Sequence, residues 1–193
     1  MNAKRLEAFS DGVLAIIITI MILEIRAPEG GAFEDLYPLL HKFIAYILSF
    51  VYVGIYWNNH HHLWQAVERV NGKILWANLH LLFWLSLFPF STAWIGEHHT
   101  AAVPVAAYGF ILFMASIAWY ILAVMVIEVE GKQSKIAQAF QKDWKTKLSM
   151  LGYASATVLA LYLPTVSAIV YAILAAVWFI PDKRIERALA QEQ

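Results

Sequence analysis

Arg5, Phe9, Ser10 and Asp11 open an apolar run, GVLAIIITIMIL, that ends at Glu24. An ionisable side chain inside a membrane span costs about 2.5 to 3.5 kcal/mol on insertion scales, so it faces protein or water instead of acyl chains. The helix that carries Asp11 is therefore not expected to be an outer wall. A second polar set lies at Asn58-Asn59-His60-His61-His62, with Asn78 and His80 beyond it. Hydrogen-bonded to Asp11, and with Arg5 nearby, these amides and imidazoles would form a network that holds the first helix at its angle and couples it to protonation. Three successive histidines also raise the question of a metal. Neighbours on a helix point about 100° apart, useful pairs are three or four residues apart, and zinc wants a defined tetrahedral set. A site completed by Asp11 stays geometrically open, but hydrogen-bonded or interfacial histidines are the expectation, with no metal and no cofactor. His-Glu-x-x-His and other catalytic patterns are absent, so the chain is not expected to be an enzyme.

The elements that must position these residues follow from composition. Of 193 residues, 61% are hydrophobic and 15% charged, above the roughly half apolar content of ordinary globular domains. This is the composition of an integral, multi-pass membrane protein. A helix needs about 20 apolar residues to cross a bilayer, and six stretches qualify once protein-facing polar positions are allowed: 4–25, 37–64, 73–96, 103–128, 146–163 and 165–181. The fold class expected is all-α, one six-helix domain over 1–193 with no internal repeat. Asp11 interrupts the first run and no small-residue cleavage pattern follows Leu23, so that run reads as a span and not a signal peptide.

Lysine and arginine set the orientation, because positive loops stay cytoplasmic. Lys4 and Arg5 precede the first span, Arg69 and Lys73 lie between the second and third, and Lys132, Lys135, Lys142, Lys145 and Lys147 join the fourth and fifth. Lys183, Arg184 and Arg187 end the chain, and only Arg26 and Lys42 fall on the other side. Both termini are expected to be cytoplasmic. The outer loops carry Glu24, Glu29, Glu34, Asp35 and Glu97, which predicts an acidic outer mouth. Net charge is zero, which offers nothing to nucleic acid, and the absence of cysteine removes disulfide and thiolate chemistry.

Punctuation within the chain is sparse. Pro28-Glu29-Gly30-Gly31 marks the first outer loop, Glu130-Gly131-Lys132 ends the fourth span, and Leu163-Pro164-Thr165 makes a tight turn. Residues 134–147 alternate Ile136, Ala139, Phe140 and Trp144 with lysines, which predicts an amphipathic helix along the inner surface. Pro89 is expected to bend the third span, with Ser91 or Thr92 satisfying the carbonyls it frees. Most aromatic residues sit near span ends, where they anchor at headgroup depth. Trp57 and Trp84 lie deeper, beside the polar set, and His98 and His99 read as solvated.

Residues three and four apart share a helical face, so Gly12, Ile16, Thr19 and Leu23 form one stripe. Asp11 points roughly the opposite way. If four copies of this helix surrounded an axis, the stripe would present a ring of Ile16, a ring of Thr19 hydroxyls and a ring of Leu23. Apolar rings can gate by dewetting, and hydroxyls can replace part of an ion's hydration. The plain alternative is that Ile16 and Leu23 pack against other helices.

The pattern Arg5-x-x-x-Phe9-Ser10-Asp11 resembles the signature that opens the transmembrane protein 175 family of potassium channels. Trp57 to His62, and Leu87-Phe88-Pro89-Phe90-Ser91-Thr92, carry the likeness along the chain. The resemblance implies a homotetramer of single six-helix units in a bacterial or archaeal plasma membrane, surrounded by lipid, with the first helix lining a central pore for potassium ions. It also implies that Ile16 and Leu23 form the constriction, that Thr19 contributes to selectivity, and that the signature residues serve a structural network. We assign Arg5, Phe9, Ser10, Asp11, Asn58, His61, His62, Asn78 and His80 to that network. A Thr-Val-Gly-Tyr-Gly loop is missing, so no carbonyl filter is expected and conduction should be leak-like, with modest preference for potassium over sodium. Glu24 either concentrates cations at the mouth or is an ordinary interfacial glutamate. The competing reading is a proton-coupled carrier or proton channel in which Asp11 and the inner histidines are relay groups.

Overall fold

The computed structural model describes residues 3–65, 67, 69–131, 133–141 and 144–179. Lys132, Lys142, Lys183, Arg184 and Arg187, which the charge asymmetry uses, lie outside the described residues, as do the last residues of the stretch 165–181. Described residues form helices and turns with no strand. The helices are α1 (Ala3–Leu23), α2 (Leu40–Gln65), α3 (Gly72–Ser86), α4 (Phe88–Glu97), α5 (Ala102–Glu130), α6 (Lys135–Gln141), α7 (Trp144–Ala160) and α8 (Pro164–Phe179). A 3₁₀ segment, Phe33–Leu39, leads into α2 and contains Pro38.

Four stretches are long and apolar enough to cross a membrane: Ala3–Leu23, Phe33–Gln65, Gly72–Glu97 and Ala102–Glu130. The fold is that of an all-helical integral membrane protein. Helices α7 and α8, with 17 and 16 residues, rise only about 25 Å at 1.5 Å per residue. They pack on each other and on α5.

One difference from the sequence reading has a physical cause. The third stretch is two helices, not one bent helix. Proline has no N–H to continue the ladder, and the chain breaks at Leu87, whose N–H turns back to the carbonyl of Trp84 at 3.3 Å. Ser91 Oγ donates to the carbonyl of Phe88 and Ser86 Oγ to that of Phe83, whereas Thr92 donates to Ser49 instead. Of the stretch 134–147, Lys135–Gln141 forms α6, with Ile136 buried, and α7 starts at Trp144; Lys142 and Asp143 lie outside the described residues. Gly131 ends α5 at φ +98°, a conformation that glycine adopts without strain.

The core is built around α5, which packs against α3, α4, α7 and α8 and buries Val105, Tyr108, Leu112, Ala115, Leu122 and Val126. Helix α1 lies on α2, α3 and α4. Its buried residues, Leu6, Ser10, Leu14, Ile17 and Met21, recur every three or four positions along one face. The other face of α1 has no cover among the described residues.

Candidate functional site: the first helix and its polar anchor

The uncovered face of α1 is the stripe read from the sequence. Gly12 and Thr19 are exposed, Ile16 is 58% exposed and Leu23 76%. Phe9 and Ile20 flank it and are exposed as well. Glu24 stands just beyond the helix end, exposed, with its N–H still bonded to the carbonyl of Ile20. Thr19 does not leave its hydroxyl proton loose: Oγ1 donates to the carbonyl of Ile16 at 2.8 Å.

Behind this face, a buried chain of hydrogen bonds ties three helices together. Trp64 Nε1 of α2 lies 3.0 Å from His60 Nδ1 and 2.7 Å from Nε2. His60 Nε2 is 2.8 Å from Asn78 Oδ1 of α3, an acceptor only, so Nε2 carries the proton and Nδ1 receives the tryptophan. Asn78 Nδ2 donates to Ser10 Oγ of α1 at 3.0 Å, and Ser10 donates to the carbonyl of Leu6 at 2.9 Å. His60, Asn78 and Ser10 are each no more than 1% exposed. A half-satisfied chain at this depth would leave a group unpaired at about 1–3 kcal/mol. Among the described residues no buried side-chain nitrogen or oxygen lacks a partner.

A second, more accessible layer joins α1 to α2 directly. Trp57 Nε1 donates to Asp11 Oδ1 at 3.0 Å. One turn nearer the N-terminus, Glu7 Oε1 lies 2.8 Å from His61 Nδ1, and His61 Nε2 lies 2.9 Å from Gln65 Nε2. Glu7 and Asp11 are four residues apart on α1, and Trp57, His61 and Gln65 step by four along α2. The two rows face each other.

Asp11, Ser10, His61 and Asn78 therefore meet protein partners, as a network requires. Other members of the expected network stand elsewhere. Arg5 and Asn58 are exposed and make no side-chain hydrogen bond or ion pair among the described residues. Phe9 is exposed. Among the described residues His62 hydrogen-bonds Gln65 Oε1, at 3.5 Å, and His80 accepts from Trp84 at 2.9 Å within α3. Asn59 faces a cavity of about 30 Å³ between α2, α5, α7 and α8, beside Tyr56, Ser149 and Tyr153. The sequence reading missed Glu7, Trp64 and Gln65, and it named His60 only as one of three equivalent histidines. The i, i+4 spacing of Glu7 with Asp11 was the available signal.

At the other end of the bundle the acid is partly neutralised. Lys42 Nζ pairs with Glu97 Oε1 at 2.8 Å, and Asp35 Oδ2 accepts the N–H of Ala32. The rings of His41 and His99 stack 3.7 Å apart at 5°. Partial burial, and then the neighbouring His41, push the imidazole of His99 below its ordinary value. His99 is exposed, as a solvated position requires, and stacks on His41 there. Among the described residues no group of three or more His, Asp or Glu is placed to hold a metal ion.

A multi-pass helical membrane protein with one helix edge left bare and anchored from behind has the architecture of an ion channel. Comparison with known proteins makes this specific. The family model described as endosomal/lysosomal potassium channel TMEM175 matches residues 5–89, from Arg5 of the signature to Pro89. A potassium channel of a Chryseobacterium species is 53% identical over 191 residues, covering 99% of this chain and 100% of the relative. A potassium channel of Streptomyces collinus is 35% identical over 129 residues, 63% of each chain. The crystal structure of a lysosomal potassium-selective channel TMEM175 homolog from Chamaesiphon minutus superposes with TM-score 0.82 at 27% identity, covering 92% of this chain and 96% of that one. The chain belongs to the TMEM175 family.

Proposed function

We propose that the protein is a potassium-selective, leak-like channel in which four copies of α1 surround one pore. The observation that carries this reading is the bare edge of α1: Gly12, Ile16, Thr19 and Leu23 are exposed in a helix whose other face is buried and hydrogen-bonded to its own subunit. The potassium-channel names of its relatives agree with it.

In this assembly Ile16 and Leu23 form apolar rings that narrow the path, and Thr19 offers an oxygen between them. Selectivity then rests on side chains, because no carbonyl filter sequence exists in the chain. Glu24 would draw cations to the outer mouth within the roughly 10 Å over which exposed charge acts at 0.1 M salt. Arg5, exposed on α1 and without a side-chain partner among the described residues, would meet water or a neighbouring copy. The reading puts both termini in the cytoplasm, uses α7 and α8 as the fifth and sixth spans, turns the outward apolar faces to membrane lipid in a bacterial membrane, and needs no cofactor.

Reconstitution in liposomes under opposed potassium and sodium gradients tests it. A reversal potential displaced toward potassium, without coupled proton movement, is expected. Flux that requires a proton gradient, or equal permeability to both ions in the wild type, would defeat the reading.

A further inference from the structure

The cavity between α2, α5, α7 and α8 lies away from α1 and has a polar lining. Its hydroxyls and amide divide by whether their protons are already engaged. Tyr52 Oη donates to the carbonyl of Tyr171 and Ser116 Oγ to that of Phe113, each at 2.6 Å. Tyr56 and Asn59, three residues apart on one face of α2, are different: neither side chain has a hydrogen-bond partner among the described residues. Buried Ser149 accepts from Trp178 Nε1 at 2.7 Å, and its own proton has no acceptor there.

Tyr56 is only 8% exposed. Sealing its hydroxyl away without a partner would cost about 1–3 kcal/mol, and among the described residues no enclosed side-chain oxygen is left in that state. The oxygen of Tyr56 is therefore open to the cavity. Whatever satisfies it comes from inside that space.

Charge and size select the occupant. The unengaged groups can all donate: a phenol O–H, a carboxamide NH₂ and a serine O–H. Among the described residues no aspartate or glutamate lines the cavity. The charged group beside it is half-buried Lys145, whose Nζ lies 6.0 Å from the ring centre of Trp178. A cation entering here would meet that ammonium with no carboxylate to offset it. An anion would meet the donors and a positive charge, and hydrogen bonds to an ion are the stronger kind. The volume of about 30 Å³ is room for about two waters. That admits a single halide and excludes a phosphate or a lipid headgroup.

We propose that this cavity binds a small monovalent anion of the halide class, held by Tyr56, Asn59 and Ser149 with Lys145 at its edge, and that the anion ties α7 and α8 to α2 and α5. No residue of α1 lines the cavity, so the site is independent of the channel reading above.

The test uses the full chain in detergent at one potassium concentration, with chloride replaced stepwise by gluconate, an anion too large for the cavity. Followed by tryptophan fluorescence, the wild type is expected to melt about 3 °C or more higher in chloride at about tenfold its dissociation constant than in gluconate. Tyr56→Phe and Asn59→Leu are each expected to abolish that shift. Because the hydroxyl of Tyr56 makes no bond to the protein, Tyr56→Phe should still melt with the wild type in gluconate. Lys145→Gln is expected to move the chloride midpoint to higher concentration, whereas Tyr162→Phe, at a position 78% exposed, keeps the wild-type response. A wild type indifferent to chloride, or the full shift retained in both Tyr56→Phe and Asn59→Leu, overturns the proposal. Wild-type crystals grown in bromide give a second reading that does not depend on how a variant folds. An anomalous peak in the cavity is expected, and ordered waters only would overturn the site. None of these readings uses ion flux, so a failure of the channel reading leaves them standing.

Discussion

The hydroxyl of Thr19 donates to the main-chain carbonyl of Ile16 at 2.8 Å, one turn back along the same exposed edge of α1. A hydroxyl has one proton and two lone pairs. With the proton committed to the helix, only acceptor capacity is left to whatever passes the edge, which suits a cation. Thr19→Val keeps the branched shape and removes the oxygen. Its potassium-to-sodium permeability ratio, read from bi-ionic reversal potentials, is expected to fall toward unity, whereas Thr19→Ser should keep most of the preference. An unchanged ratio in Thr19→Val would place selectivity elsewhere.

Ile16 and Leu23 are the large apolar side chains on that edge, 58% and 76% exposed. A ring of such groups resists wetting, and a polar replacement relieves it. Ile16→Asn is expected to raise liposome flux by roughly threefold or more, while Ile17→Asn, on the buried face of the same helix, should damage folding instead. Equal flux in wild type and Ile16→Asn would count against α1 as the lining.

The helices and the bare stripe were legible because apolar length and a three-to-four spacing are local properties. The signature around Asp11 announced a buried anchor for the same reason: charge in an apolar run stands out. The partners were harder to read. Which of His60, His61 and His62 turns inward depends on the rotation of α2 about its axis, and side chains about 100° apart have equal claims until packing decides. Packing sends His60 to Asn78 and His61 to Glu7. Glu7 itself hid in the unspecified positions of the signature. Arg5 and Asn58 shared the depth of the network but not its face, and depth was all that topology supplied. Likewise Pro89 marked an irregularity, but its outcome as a break at Leu87 depended on how the chain reused the carbonyl of Trp84.

The buried chain through Asn78 should show its worth as stability. Asn78→Leu preserves volume and strands the Nε2–H of His60 without an acceptor, at a cost of about 1–3 kcal/mol. Thermal unfolding in detergent, followed by tryptophan fluorescence, is expected at a clearly lower temperature than for wild type. Asn58→Leu, whose side chain makes no hydrogen bond among the described residues, is the control and should change little. Equal losses in the two variants would mean that the chain through α1, α2 and α3 does not stabilise the fold.

Close approach between α5 and α8 gives a further stability prediction, away from the exposed edge of α1. A Cβ placed on Gly109 would collide with the hydroxyl and ring of Tyr171 and crowd Thr157 Oγ1. Tyr171 is fully buried, and its hydroxyl donates to the carbonyl of Val105 at 3.4 Å, while its own carbonyl accepts from Tyr52 at 2.6 Å. Relief would require α8 to move off α5 or Tyr171 to leave its position, and overpacking of this sort costs about 1–3 kcal/mol. Gly109→Ala is therefore expected to unfold at lower temperature, and Gly109→Ala combined with Tyr171→Phe, which removes the colliding oxygen, to recover part of the loss. If Gly109→Ala melts with the wild type, the helices are not in the contact described. If the double variant melts below Gly109→Ala, the hydroxyl of Tyr171 contributes more through Val105 than it costs through the clash.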